Sequence, residues 1–156
     1  MSVLEVSTGQ RYHIKVIKVE AADFKVISNK RYFFNWNEEK AYEIVKLTLV
    51  DNKDILGLMS FEYIDTEKRI HVRLLAVSKE NVGKNKVYDD IVGNLLTFAA
   101  KKAVLKYAEW ACISLRPKTE LVQHYIDKYK MNITGMTLSL EVPEILELIN
   151  NYDHEA

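Results

Sequence analysis

The sequence predicts an α/β fold whose central sheet is mixed but mostly antiparallel and is flanked by helices. Strand-like segments at residues 42–50, 55–64 and 69–77 follow one another with only short polar turns between them, which is typical of antiparallel neighbours. A basic, glycine-bearing segment then leads into an amphipathic helix, and another apolar strand follows at residues 110–115. Because a helical crossover returns the chain in the same direction, this later strand is expected to pair in parallel with the strand before the helix.

The composition indicates one domain over residues 1–156. The chain is 48% hydrophobic, which is enough to bury a substantial core, and no Pro/Gly/Ser-rich linker divides it. Lys and Arg together number 22, as do Asp and Glu, so no global electric field favours nucleic acid as a partner. Cys112 is the single cysteine, which excludes an internal disulfide, and no run of about 20 apolar residues predicts a membrane span. We therefore expect a cytoplasmic protein that binds neither nucleic acid nor a membrane.

The flanking elements follow from periodicity and from capping residues. Alternating side chains predict a first strand at residues 12–19, and Thr119 is a candidate cap for a helix that begins at Glu120. A last strand is expected at residues 136–140, before a terminal helix that Pro143 starts. Residues 20–39 are aromatic-rich and lack a clear period, so short helices or ordered loop are expected there.

The junction between the strand at 69–77 and the following helix has the composition of a phosphate-binding loop. The first turn of a helix has backbone N–H groups without partners and lies at the positive end of the helix dipole, so it attracts phosphate. Lysines in the loop add full charges. A solvated strand-to-helix connection has the same composition, and the loop alone does not decide between the two interpretations. The candidate residues are Asn81, Gly83, Lys84, Asn85, Lys86, Gly93 and Asn94.

The order of the elements and several motifs resemble the GNAT superfamily of acyl-CoA-dependent N-acetyltransferases over residues 11–141. Residues 75–80 resemble the end of that family's fourth strand, and residues 94–99 resemble the helix after it. Tyr125-Ile126-Asp127-Lys128-Tyr129 resembles the family's Tyr-x-x-Lys-x-Gly-Phe segment. The loop also fits the form Asn-x-Gly-x-x-Lys-x-Tyr followed by Gly-Asn-Leu, which is similar to a bacterial subgroup with an elongated pyrophosphate loop.

This resemblance implies the GNAT fold, acetyl-CoA or coenzyme A as cosubstrate, and transfer of an acetyl or other short acyl group to an amine by direct attack. It implies that the loop candidates bind the pyrophosphate and that the backbone at Leu75 holds the pantetheine arm. The N–H of Val77 would polarise the thioester carbonyl, and Tyr125 would protonate the leaving thiolate. The aromatic residues 32–36 would wall the pocket of the amine acceptor, unless they only close the hydrophobic core. A homodimer is compatible with the resemblance.

Two departures from the superfamily loop leave a rival function open. Val82 stands where the family has arginine, and Asn85 stands where it has its first glycine. Glycines serve there because backbone must approach phosphate closely and adopt positive φ, which valine tolerates poorly. The rival is a catalytically silent GNAT-like module for ligand sensing or protein interaction.

Polar residues in apolar strands supply candidates for proton transfer. Glu62 lies on one strand, and His71 and Arg73 share a face of the next. One of them, with Glu62 as the candidate, would move a proton from the acceptor ammonium through water, or each simply faces solvent. The four histidines and the cysteine show no spacing of a metal site, so no metal is expected; they are His13, His71, His124, His154 and Cys112.

Overall fold

The computed structural model describes residues 1–153, which form a mixed α/β fold. The strands are β1 (Ser2–Glu5), β2 (Arg11–Lys18), β3 (Glu43–Leu49), β4 (Gly57–Ile64), β5 (Arg69–Val77), β6 (Tyr88–Asp89), β7 (Cys112–Leu115), β8 (Asn132–Thr134) and β9 (Thr137–Glu141). The α-helices are α1 (Asn29–Tyr32), α2 (Ile91–Tyr107), α3 (Val122–Tyr129) and α4 (Val142–Tyr152). Short 3-10 helices lie at Ala21–Lys25, Trp36–Glu39, Asp65–Glu67, Lys79–Asn81, Ala108–Trp110 and Thr119–Leu121.

The strands form one sheet in the order β6-β1-β2-β3-β4-β5-β7-β9-β8. Strand β1 pairs antiparallel with β2 and with β6, β2 with β3, β7 with β9 and β8 with β9. Strand β5 pairs in parallel with β7, with His71 opposite Ser114. The parallel pair across the helical crossover confirms the predicted mixed sheet.

The chain divides into two compact units. The first comprises Met1–Ser60 and Leu74–Leu95, and the second comprises Phe61–Arg73 and the chain from Leu96 onward. Strands β4 and β5 and helix α2 contribute residues to both units. The interpretation as a single domain stays a prediction.

An aromatic cluster forms much of the core of the first unit. Tyr32 and Trp36 are each 1% exposed and pack with Ile44, Leu58 and Ala76. Both polar groups are satisfied, because the Tyr32 hydroxyl donates to the carbonyl of Ile55 at 2.8 Å and the Trp36 indole donates to the carbonyl of Tyr32 at 3.1 Å. The aromatic segment therefore serves the core at these two positions.

The other face of β4 in this unit contacts the start of α2. A Cβ built on Gly57 would lie 2.7 Å from Cγ2 of Ile91 and 3.1 Å from Cδ1 of Leu95. No larger side chain fits between strand and helix without a shift of one of them. Gly57 thus allows the first turns of α2 to pack closely on the sheet.

The second unit buries small residues of α2 together with apolar residues of strands and of α4. Ala99, Ala103, Ile113, Leu140 and Ile145 are each fully buried. Helix α4 packs on β9 and β7. In this unit the Tyr107 hydroxyl donates to Oδ1 of Asp65 at 2.7 Å, which ties the end of α2 to the turn after β4.

The sequence pattern did not predict β1, β6 and β8. Strands of two to four residues contain too few positions to show alternation. The strand predicted from residue 110 begins at Cys112, because Ala108–Trp110 forms a 3-10 turn. The helix predicted from Glu120 begins at Val122, and Thr119 starts a 3-10 turn for which no side-chain cap forms.

Candidate functional site

The last residues of β5 direct backbone N–H groups to the edge of the strand that faces away from β4. The N–H of Leu74 donates to Oγ of Ser60 at 3.2 Å, and the N–H of Ser78 donates to the carbonyl of Leu56 at 2.8 Å, so both point toward β4. Since successive residues of a strand direct their backbone groups to opposite edges, the N–H groups of Leu75 and Val77 point away from β4. The registered pairs of β5 with β7 run from Arg69 to Val72, short of both residues.

Asn81 shapes the connection between β5 and α2. It is 4% exposed, its amide nitrogen donates to Oγ of Ser78 at 2.8 Å, and its amide oxygen accepts the N–H of Tyr88 at 2.7 Å. These bonds join the two ends of the loop across its base. The Asn81 side chain therefore lies inside the loop, and its amide group is used in hydrogen bonds that stabilise the loop conformation.

The tip of the loop is exposed. Gly83 has φ +81, and nothing lies within 4 Å of the position a Cβ would take, so the backbone conformation and not crowding favours glycine there. Lys84, Asn85 and Val82 are exposed as well. Val82, in the position of the family's arginine, is 52% exposed.

The charges at the C-terminal end of the loop are paired. Lys86 Nζ lies 3.3 Å from Oδ1 of Asp89, and Arg11 Nη1 lies 3.2 Å from Oδ2 of Asp90. Asp89 also accepts the N–H of Asp90 at 2.8 Å, and Asp90 has φ +76. The two carboxylates that precede α2 are thus each next to a cation, which reduces their repulsion of an anion.

The first turn of α2 contains the two remaining loop candidates. Gly93 is buried within the helix, and Asn94 is fully buried. The Asn94 amide nitrogen donates to the carbonyls of Ser2 and Asp90, both at 2.7 Å. Asn94 therefore joins β1 to the start of α2, and its side chain is occupied by these structural bonds.

An arginine that the sequence analysis did not single out anchors the start of the connection. Arg31 on α1 donates to both carboxylate oxygens of Asp54, at 2.8 and 3.0 Å, and also pairs with Glu80. Both carboxylates raise the pKa of the Arg31 guanidinium, and Arg31 lowers the pKa of Glu80. The partners are 23 and 49 residues away along the chain, so no local pattern could reveal them.

Tyr125 lies on α3 in the second unit and is 8% exposed. Its ring centroid is 5.7 Å from that of Tyr129 and 6.0 Å from that of His124. Burial raises the pKa of the Tyr125 phenol, so the group is protonated at neutral pH and is able to donate. Its assignment as the acid for the leaving thiolate stays a prediction.

Lys130 and Met131 follow α3 at the positions where the sequence resemblance expected Gly-Phe. Lys130 ends the helix with φ +62, in the left-handed conformation that glycine usually adopts, and its N–H donates to the carbonyl of Ile126 at 3.1 Å. Met131 is 2% exposed. The turn after Tyr125 is therefore formed without the glycine.

Glu62 is paired and partly exposed. Its carboxylate lies 3.2 Å from Nη1 of Arg73, and each side chain is about one third exposed. The structure gives Glu62 an arginine partner in the second unit. Its assignment as a proton acceptor stays a prediction.

His71 belongs to a polar cluster between β5 and β7. Its Nδ1 lies 2.8 Å from Oγ of Ser114, which is buried and also contacts the Arg69 guanidinium. Arg69 is donor-only, so the consistent arrangement has Arg69 donating to the serine oxygen and Ser114 donating to an unprotonated Nδ1. Burial, with the nearby Arg69 and Arg73, lowers the pKa of His71 below its ordinary value of 6.5.

This cluster predicts a pH-dependent stability. Because the folded-state pKa of His71 is below the unfolded value, its contribution is fully present above the unfolded pKa and is lost as pH falls through the folded pKa. Urea unfolding from about pH 7.5 down to about pH 5 should show a decreasing free energy of unfolding. His71→Asn, whose amide oxygen accepts the Ser114 proton, should reduce that slope. Equal slopes in the wild type and His71→Asn would remove the assignment.

No group of three or more His, Cys, Asp or Glu side chains in residues 1–153 is arranged to hold a metal ion. His154 lies outside the described residues. None of the described helices combines the length and the apolar character that crossing a membrane requires.

Comparison with solved structures finds the same fold in bacterial N-acetyltransferases. A mutant form of spermidine/spermine N-acetyltransferase from Vibrio cholerae matches with a TM-score of 0.61 at 14% identity, over 86% of this chain and 97% of that one. The ribosomal-protein-S18-alanine N-acetyltransferase from Escherichia coli matches with a TM-score of 0.61 at 12% identity, over 83% and 94% of the two chains. A GNAT family acetyltransferase from Listeria monocytogenes matches with a TM-score of 0.62 at 12% identity, over 86% and 97%.

No family profile matches the sequence, and no curated protein matches it significantly. At 12 to 14% identity the structural likeness establishes the fold alone. The chain has the GNAT fold that its element order predicts.

Proposed function

We propose that this protein is an N-acetyltransferase that transfers an acetyl or other short acyl group from acetyl-CoA to an amine by direct attack. The observation that carries the proposal is the end of β5, where the N–H groups of Leu75 and Val77 point away from β4. Backbone donors in such a row suit the amide-bearing pantetheine arm and the thioester carbonyl. The GNAT fold supports this assignment.

The loop after β5 would bind the phosphates of coenzyme A. Lys84 is exposed, so it is available to an anion that approaches from solvent. Lys86, at the C-terminal end of the loop, is half-buried and would share its charge between the phosphates and Asp89. Gly83 and Gly93 supply backbone without side chains. Asn81 and Asn94 would contribute indirectly, because their side chains hold the loop and the start of α2 in place. Asn85 is exposed at the tip.

Proton transfer completes the proposed reaction. A neutral amine attacks the thioester carbon, a C–N bond forms and the C–S bond breaks. Tyr125 gives its proton to the departing thiolate, and the proton released by the amine returns through water to the phenolate. The N–H of Val77 would stabilise the negative charge on the carbonyl oxygen. The acceptor would be an amine on a small molecule or a protein.

The charge balance of the loop favours a second candidate. Lys86 and Arg11 already contact Asp89 and Asp90, so part of the positive charge near α2 is neutralised within the protein. This pairing is compatible with a catalytically silent module that keeps the scaffold for ligand sensing or protein interaction.

Titration calorimetry with acetyl-CoA, followed by a thiol-release assay across a panel of amines, separates these functions. The proposal expects saturable heat with acetyl-CoA, a weaker signal with pantetheine, which lacks the phosphates, and amine-dependent release of thiol. Binding without thiol release across the panel would favour the silent module. No heat and no thermal shift at millimolar acetyl-CoA would reject both the enzyme and the cofactor-sensing module.

A further inference from the structure

A chain of buried hydrogen bonds reaches the backbone of β5 from a carboxylate far away in sequence. The N–H of Leu74 donates to Oγ of Ser60 at 3.2 Å, and the Ser60 hydroxyl donates to Oε1 of Glu39 at 2.7 Å. Ser60 is fully buried and Glu39 is 5% exposed. All three residues belong to the first unit.

The direction of this chain follows from the chemistry of its members. A backbone N–H only donates, so the serine oxygen accepts from Leu74, and its own proton then remains for the carboxylate. The carboxylate of Glu39 therefore determines which way the Ser60 hydroxyl points. Hydrogen bonds to a carboxylate are stronger and shorter than those between neutral groups, and burial strengthens them further.

Packing determines where the carboxylate lies. Glu39 is the last residue of the 3-10 helix Trp36–Glu39. Trp36 anchors that helix in the core, with its ring 6.1 Å from that of Phe34 and its indole bonded to the carbonyl of Tyr32. Glu39 thus connects the segment between α1 and β3 to Ser60 on strand β4.

We propose that Glu39 is a positioning residue for the acyl-donor site. Through the Ser60 hydroxyl it holds the β5 backbone at Leu74, directly before Leu75 and Val77, and so orients the two N–H groups that face the thioester and its arm. The inference rests on the proposed function for the identity of the ligand. The hydrogen bonds from Glu39 through Ser60 to Leu74 are observed independently of that ligand.

Three variants separate this role from ordinary packing. Glu39→Leu removes the acceptor and keeps a side chain of similar size. Ser60→Ala removes the link, and Glu39→Gln keeps an oxygen that accepts the Ser60 proton. Ile27→Ala is the matched control, because Ile27 is 6% exposed in the core cluster against which Leu74 packs, and its loss lowers stability without removing a donor or an acceptor of the hydrogen bonds.

Two readouts are needed, one of them independent of the cofactor. The amide chemical shifts of Leu74, Leu75 and Val77 in the free protein report the backbone geometry, and calorimetry reports the dissociation constant for acetyl-CoA. We expect Glu39→Leu and Ser60→Ala to move these shifts and to weaken acetyl-CoA binding about tenfold, as loss of one oriented hydrogen-bonding group would. Glu39→Gln and Ile27→Ala should leave both readouts near the wild-type values.

Each contrary result has a distinct meaning. Unmoved amide shifts in Glu39→Leu and Ser60→Ala would overturn the positioning role, and so would moved shifts with an unchanged dissociation constant. An equal loss of affinity in Ile27→Ala would reduce the effect to general destabilisation and also overturn it. If the wild-type protein takes up no acetyl-CoA, the proposed function fails, and the amide shifts alone decide whether Glu39 positions this strand.

Discussion

Replacement of Tyr125 by Phe is expected to lower turnover about 100-fold while acetyl-CoA binds as tightly as before, since general acid catalysis contributes at least that factor in many enzymes. The substitution removes one hydroxyl from a buried ring and keeps the contact with Tyr129, whose centroid lies 5.7 Å away. Because burial raises the pKa of Tyr125, the phenol carries its proton at the pH of the assay. The measurement is the initial rate of thiol release at saturating acetyl-CoA.

Tyr129→Phe provides the matched control for this prediction. Tyr129 lies on the same helix, is 4% exposed and takes part in the same group of rings. A loss of turnover confined to Tyr125→Phe would identify a specific hydroxyl. Equal turnover in Tyr125→Phe and the wild type would remove the acid role and strengthen the case for a silent module.

Where the sequence analysis agreed with the structure, long elements with many periodic positions carried the signal. Strands β4 and β5 and helix α2 supply eight, nine and 17 residues, so alternation or helical spacing was visible in each. The parallel pairing of β5 with β7 followed from the helix between them. Short strands such as β6, with two residues, form because a neighbouring strand offers partners, and that information is not local.

The candidate site shows the same division between local and distant information. The motif positions Asn81 and Asn94 resembled cofactor ligands, yet each side chain is buried in hydrogen bonds that shape the loop. A motif records which residues recur together, and a residue that holds a loop recurs as reliably as one that binds a ligand. Glu39 carried no signal at all, because its contact with Ser60 spans 21 residues.

Substitutions at the base and at the tip of the loop would test different properties. Its base is held by Asn81, by Arg31 and by the pairing of Lys86 with Asp89. Its tip, with Lys84 and Gly83, is exposed. Substitutions at the base therefore alter loop geometry as well as charge, whereas a substitution at Lys84 alters charge in a solvated position. This distinction makes Lys84 the cleaner probe of whether the loop faces phosphate.

Reversal of charge at Lys84 and Lys86 is expected to weaken acetyl-CoA binding strongly. Each substitution to Glu replaces an attraction by a repulsion, worth about 1 kcal/mol for a nearby exposed phosphate, or roughly fivefold in the dissociation constant. In the wild type the Lys86 ammonium lies 3.3 Å from the Asp89 carboxylate, so Lys86→Glu also places two carboxylates side by side. The double variant should therefore lose more affinity than Lys84→Glu alone. Calorimetry at low salt measures the effect, which added salt should reduce.

Lys15→Glu changes the net charge by the same amount as Lys84→Glu at an exposed position of β2 and serves as the control. If Lys84→Glu weakens binding and Lys15→Glu does not, the effect is local to the loop and not a consequence of total charge. An unaltered dissociation constant in the double variant would show that the loop does not face the phosphates, because a change of four charge units near a pyrophosphate cannot be silent at low ionic strength. The exposed lysines would then belong to a solvated connection, and the acyl-donor site would depend on the β5 backbone alone.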